Sequence, residues 1–185
     1  MEFKNKKDFF SDNVIFFDTE FTNIDTEIGE LMSIALVKPN GEELYLELAY
    51  EERSVHPWVT ENVVPYLLGN KISKEEALNQ IWEFIGRGEE KPFLMAYVNQ
   101  FDSIYWYRLF SDPKEHPVFW IPIDFASILF AYGFDPEIMR VEDFYQWLDI
   151  DTKKYNKHNA LDDARKLKEV YDKFKSKVLV SHNIE

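Results

Sequence analysis

The chain contains no cysteine. That excludes disulfides, thiolate nucleophiles and thiolate metal ligands, and it fits a reducing, cytoplasmic setting. Glycine and proline are sparse, six and eight residues, and scattered, so no low-complexity tract or linker interrupts the chain. No apolar run approaches the roughly 20 residues of a membrane span. The basic opening, residues 1–7, is followed by no long apolar stretch and no small-residue cleavage site, so a secretory leader is not expected. Positive charge is also short: 21 Lys and Arg stand against 34 Asp and Glu, a formal net charge of -13. This balance argues against a protein that coats duplex nucleic acid, which needs a basic contact face. It argues less against an enzyme with acidic metal ligands, because bound divalent cations reverse the local field.

What the chain does have is apolar and aromatic bulk, 45% and 17% of 185 residues. That suffices for one sizeable core, and we expect one domain over 1–185 with its core at about 13–175. The run 14–17 (Val-Ile-Phe-Phe) is apolar without alternation, as in a central strand covered on both faces. A second run, 31–37, leads through Pro39-Asn40-Gly41 into a third, 43–50, and Asn-Gly between strand-like runs signals a hairpin. In the third run Leu44, Leu46 and Leu48 alternate with Tyr45 and Glu47, the pattern of a half-buried strand. A short helix is expected in 57–68. Ser73 with Glu76 forms a capping-box pattern for a helix that Gly86 and Gly88 end. Further strands are expected over 92–98 and 120–123. Helices are expected over 103–110, 125–132 and 141–148, and the clearest over 159–174. On that last helix Ala160, Ala164, Leu167, Tyr171 and Phe174 share a face, with Lys166, Lys168 and Lys173 towards water. The order predicts an α/β fold: a mixed five-stranded sheet, three strands in an antiparallel meander and two parallel, with helices on both faces.

Asp18 and Glu20 stand at the C-terminal end of the first strand. Residues two apart on a strand face the same way, about 6.5–7 Å apart, and open α/β sheets place ligands beyond such strand ends. Taken alone, Asp-x-Glu describes an ordinary acidic turn, and Asp102, after a later strand, an ordinary helix cap. In His158-Asn159-Ala160-Leu161-Asp162-Asp163, however, Asp163 shares the apolar helix face, where a carboxylate needs a partner. Asp162 is offset from that face and suits a structural role beside Asn159. Two carboxylates about 4 Å apart repel by about 4 kcal/mol at an effective dielectric near 20, so four converging at one place call for cations. An all-oxygen donor set selects Mg²⁺ or Mn²⁺ over zinc.

Asp-Thr-Glu-Phe after an apolar strand, Asp102 after a later one, and His-x-Ala-x-x-Asp at 158–163 together resemble the three motifs of the DEDDh 3′–5′ exonucleases. The likeness runs over about 14–174. It is nearest to small stand-alone bacterial exoribonucleases, whose pattern Tyr97 and Arg165 also fit. Tyr155 lacks the spacing of the sister group that uses Tyr, so the His type is expected. The resemblance implies an RNase H-like fold and hydrolysis from the 3′ end of short or single-stranded RNA, or alternatively of single-stranded DNA or 3′ overhangs, releasing nucleoside 5′-monophosphates. It implies two divalent cations, with Asp18 bridging them, Glu20 and Asp163 holding the first and Asp102 supporting the second. His158 would be the general base, and Phe21 and Thr22 would meet the terminal nucleotide. It also implies a possible homodimer. A non-catalytic binding module on the same fold is the remaining alternative, and its signature would be a missing motif residue. All five stand in place.

Several other residues invite a role. Trp58, Tyr66, Tyr97, Trp106 and Tyr107 could wall a pocket, although aromatics at such spacing are usually core. Lys153, Lys154, Lys157, Arg108 and Lys114 could meet phosphates, although a solvated face explains each. His56 and His116 adjoin prolines and read as surface residues, with His56 the better candidate for a site rim. Asp124 reads as a helix cap.

Overall fold

The computed structural model describes residues 11–88, 90–112 and 115–182, with side chains as far as 179. The strands are β1 (Val14–Phe21), β2 (Leu31–Val37), β3 (Glu43–Leu48), β4 (Lys71–Ile72), β5 (Phe93–Ala96) and β6 (Ile123–Asp124). The helices are α1 (Pro57–Asn62), α2 (Lys74–Ile85), α3 (Gln100–Phe110), α4 (Phe125–Ala131), α5 (Glu142–Leu148) and α6 (Ala160–His182). The sheet runs β4-β3-β2-β1-β5-β6. β1, β2 and β3 form the expected antiparallel meander, while β5 pairs parallel to β1 and β6 parallel to β5.

The sheet has six strands rather than five. The sixth, β4, pairs parallel to β3 through Lys71 and Ile72. Two residues carry no readable period, so this pairing is set by tertiary contact alone.

The unbroken apolar run of β1 has a simple cause. Val14 and Phe16 pack into one core with Phe125, Leu167, Tyr171 and Phe174. Ile15 and Phe17 pack into the other with Ile34, Leu36, Ile81 and Trp106. β1 is thus covered by α6 and α4 on one face and by α2 and α3 on the other. The hairpin turns at Gly41, whose φ of 89° a side chain would oppose.

β3 departs from the half-buried expectation. Glu47 is buried, 4% exposed, because this end of the sheet is covered on its second face too. Its carboxylate accepts from the Tyr45 hydroxyl at 2.8 Å, from the Gly69 N–H at 2.7 Å and from the Leu68 N–H. Two helices also differ from expectation. α6 runs two turns past residue 174. α3 begins at Gln100, so Asp102 lies inside its first turn and is not its cap.

Candidate active site

Alternation along β1 decides which side chains can meet. Asp18 and Glu20 extend the even row of Val14 and Phe16, towards α6. There Asp163, in the first turn of α6, completes a group whose carboxylate oxygens all lie within 4.8 Å of one another. Thr19 belongs to the odd row, towards α3. Its N–H and hydroxyl both donate to Asp102 Oδ1, at 2.8 and 2.7 Å. Asp102 therefore reaches the same strand end from the opposite helical layer, held by the residue between the two β1 carboxylates. Three distant stretches of sequence converge on one edge of the sheet.

Crowding and burial leave a clear electrostatic mark. Burial, then the neighbouring Asp102, Asp163 and Glu20 carboxylates, raise the Asp18 carboxyl well above its ordinary range. Glu20 is pushed up to about 8 by burial and by Asp163 and Asp102. Asp102 rises to about 6 through burial, although the Thr19 donors oppose the rise. Carboxylates arranged this way favour protons or cations over bare negative charge. All the donors are oxygen, which fits Mg²⁺ or Mn²⁺. Asp18, Glu20 and Asp163 can share an ion, with Asp102 beside them.

His158 stands at the mouth of this group. Its backbone is left-handed, φ 59°, which non-glycine residues adopt rarely. Its N–H donates to Asp163 Oδ2 at 3.1 Å. Its ring meets Trp58 edge-on, with centroids 4.9 Å apart. Trp58 is placed in turn by His56, whose Nδ1 accepts the Trp58 N–H at 3.2 Å, and the His56 N–H donates to the Thr22 carbonyl at 2.8 Å. The N-terminal end of the segment that faces His158 is thus tied to the chain just beyond β1.

A cavity of about 530 Å³ opens over the carboxylates. Asp18, Thr19, Glu20, Asp102, Asp163 and His158 form its polar end, while Phe21, Ile24, Trp58, Val59, Val63 and Phe101 line the rest, with His56, the expected rim residue, among them. Phe21 sits where the β1–β2 register slips after Glu20, a bulge that re-aims the strand end. It stacks on Tyr105, ring centroids 4.6 Å apart. Thr22 is fully buried. Its hydroxyl accepts the Glu30 N–H at 2.9 Å and the Ser54 hydroxyl at 3.3 Å, and Thr22 does not line the cavity.

The other expectations divide. Trp58 lines the cavity, Tyr97 lines an adjoining groove, and Trp106 is core. The Tyr66 carbonyl accepts from Asn159 and the Tyr107 hydroxyl donates to the Trp120 carbonyl. His116 is not on the surface: it is 1% exposed, and its Nδ1 accepts the Trp106 Nε1–H at 3.3 Å. Lys166 does not point to water either, because its ammonium pairs with Asp163 Oδ1. Lys154 pairs with Glu169, Arg108 donates to the Gly29 carbonyl, Lys153 and Lys157 are exposed, and Lys114 lies outside the described residues. Asp162 accepts from Asn156 and Arg165, and its N–H is capped by Asn159. Asp124 caps α4 through Ala126 and Ser127, but it also accepts the Val98 N–H at 2.9 Å. Val98 is itself left-handed, φ 58°, so Asp124 holds the strained turn that leads from β5 to Asp102.

Sequence reasoning missed Thr19, Ile24, Val59, Val63 and Phe101. Only Thr19 carried a signal. Its place between two carboxylates puts it on the other face of the strand, towards the helix that bears Asp102.

No protein-family model and no curated sequence matches the chain. Solved structures do. A 3′-exonuclease that recognises the histone mRNA stem-loop aligns with a TM-score of 0.63 at 11% identity, over 88% of this chain and 81% of its own. S. pombe Pop2p, in a form with Mg²⁺ and Mn²⁺ bound, aligns at 0.55 and 13%, with the same coverage. The fold is that of 3′-exonucleases. E. coli ExoI in complex with single-stranded DNA aligns at 0.55 and 16%, over 85% of this chain and 38% of that one. Among the described residues no helix is long and apolar enough to cross a membrane.

Proposed function

We propose that the protein is a divalent-metal-dependent 3′–5′ exoribonuclease of the DEDDh type, acting on short or single-stranded RNA in the cytoplasm. The observation that carries this reading is the convergence of Asp18, Glu20, Asp102 and Asp163 beside His158, at the polar end of a cavity whose other walls are apolar. Mg²⁺ or Mn²⁺ held by those four carboxylates would supply charge neutralisation and Lewis acidity to phosphodiester hydrolysis.

The chain's own groups divide the remaining work. Phe21, Ile24, Trp58 and Phe101 offer the terminal base an apolar seat, which places the last phosphodiester at the carboxylate end. Stacking on such walls is tolerant of base identity. His158 takes the proton of the attacking water, the general-base role that histidine most often fills. Trp58 and the bond from the His158 N–H to Asp163 fix where that imidazole stands. The water oxygen forms the new bond to phosphorus, and the bond to the 3′ oxygen of the preceding nucleotide breaks. That oxygen gains a proton, and a nucleoside 5′-monophosphate leaves. Thr22 acts beneath this site, bracing the strand end through Glu30 and Ser54.

The RNA preference rests on the motif resemblance. The exposed run Phe119, Trp120 and Ile121, beside edge strand β6, supports the expectation of a homodimer. End-labelled RNA and DNA of matched sequence, incubated with Mg²⁺ or Mn²⁺, test the activity. Stepwise release of mononucleotides, faster from RNA, is expected. No release from either polymer would overturn the reading, and equal or faster release from DNA would overturn its RNA part.

A further inference from the structure

Lys166 is the residue for which the reaction above has no use. It lies one helical turn after Asp163 on α6, and its ammonium contacts Asp163 Oδ1. Asp163 Oδ2 meanwhile accepts the His158 N–H. Both oxygens of this carboxylate are therefore engaged from within the chain, although the same carboxylate is one of the three that converge on a single point. The side chains of Lys166 and Asp163 are each only 20% exposed. This sets the pair apart from the open i,i+3 pairs that decorate a helix surface. Its positive charge is also felt beyond Asp163, since it opposes the upward shift of both Asp18 and Glu20.

We propose that Lys166 is a resident counter-cation of the carboxylate centre, which occupies Asp163 when no metal is bound and competes with divalent metal for it. The inference rests on the metal-centred reading above and concerns how the site accepts its ion. A compact ammonium on a flexible stem suits the task, because it holds a carboxylate as a point charge and releases it without breaking a bidentate fork. Space for release exists. Lys166 borders a groove of about 480 Å³ on the far side of His158 and Asp163, lined also by Tyr97, Tyr145 and Tyr155. Withdrawal into it frees Asp163 Oδ1 without disturbing α6. Lys166 is thus a positioning residue: it acts through Asp163 and touches no reacting atom.

The test is metal affinity, measured by calorimetric titration of the whole protein with Mn²⁺ in the absence of nucleic acid. Lys166→Met removes the competing charge and keeps the bulk. Its Mn²⁺ affinity is expected to rise about tenfold, a modest share of what one unit charge a few ångströms away can exert. Lys166→Arg keeps the charge and gains a fork that grips the carboxylate, so its affinity is expected to fall below that of the unaltered protein. It also retains the pair, and so provides a folded comparison if Lys166→Met proves unstable without metal. Equal affinity in all forms, or the reverse order, would overturn the inference while leaving the metal reading intact. Failure of the unaltered protein to bind Mn²⁺ would overturn both. A merely structural lysine predicts weaker binding, not stronger, on its removal.

Discussion

Among the described residues, two groups of carboxylates are treated in opposite ways. Glu47 sits among donors that match it: two successive backbone N–H groups and a tyrosine hydroxyl. Asp18, Glu20 and Asp163 sit among one another. The first arrangement stabilises the folded chain, since a buried carboxylate with charge-assisted bonds has no need of an outside partner. The second costs stability, because burial and like charge raise the Asp18 and Glu20 carboxyls above their ordinary range and the Lys166 ammonium offsets this only in part. Asp102 stands between the two cases, crowded by acids yet held by both donors of Thr19. A fold that gives one carboxylate a full set of donors and, two strands away, sets others against one another leaves the second group to be balanced by cations, from Lys166 within the chain or from outside. The contrast, more than acidity as such, separates the structural Glu47 from the carboxylates proposed to hold metal.

Paired substitutions should break the contrast most sharply. Asp18→Asn removes a charge with little change of shape. Mononucleotide release is expected to fall about a thousandfold or more, equivalent to about 4 kcal/mol or more of barrier, while the metal-free protein melts at a higher temperature because a repulsion is gone. Glu47→Ala should do the reverse. It leaves the Leu68 and Gly69 N–H groups without their acceptor, at a cost of about 2–3 kcal/mol. For a chain of this length that corresponds to a melting point lower by roughly 4–12 °C, with turnover per folded molecule little changed. Thermal melts and release assays on the two proteins decide the matter. A melting point lowered by Asp18→Asn would mean that the centre is structural after all.

How far these roles could be read beforehand follows the same division. The even spacing of Asp18 and Glu20, and the place of Asp163 on an apolar helix face, are short-range patterns that allow convergence, but it is the three motifs taken together that called for it, and these three side chains do meet. Also legible were the unbroken apolar run of β1, the Asn40-Gly41 hairpin and the Ser73 cap. What escaped depends on partners far along the chain. Glu47 reads as the polar residue of a half-exposed strand until residues 68 and 69 and the two-residue β4 are seen beside it. His116 reads as a loop histidine until Trp106 is found against it. Lys166 reads as solvated until its neighbour Asp163 turns inward. Asp102 reads as a cap because the register of α3 is set by the strained turn at Val98, which no local preference announces. The apolar walls of the cavity, Val59, Val63 and Phe101, carry no chemistry of their own to mark them.

A smaller effect should appear with pH. Glu20 loses its proton near its ordinary 4.5 in the unfolded chain but only at about 8 in the fold, and Asp18 is raised in the same sense. Between those limits the folded protein binds more protons than the unfolded one, so stability falls as pH rises. In the presence of a chelator the melting temperature is expected to drop by several degrees from pH 5 to pH 8, at about 2–4 °C per kcal/mol. Mn²⁺ should flatten this slope by taking the place of the protons. A metal-free melting curve that does not move over this range, or that rises, would show that the carboxylates are not crowded in solution.

The smallest test asks how much of the stability at Glu47 comes from its side-chain partner. Tyr45→Phe removes one hydroxyl and leaves the ring, which packs beneath α6. The Glu47 carboxylate keeps both backbone N–H donors, so it is not stranded, and the loss is that of a single hydrogen bond to a charged group. About 1–2 kcal/mol is expected, a fall of roughly 2–8 °C in melting temperature, with mononucleotide release unaffected. In a Glu47→Ala background the same change should have almost no effect, because the hydroxyl then has no carboxylate to meet. A double-mutant cycle measures that difference directly. Additive losses in the double variant would mean that the tyrosine hydroxyl supports the sheet through some other contact, and that Glu47 rests on its two backbone donors alone.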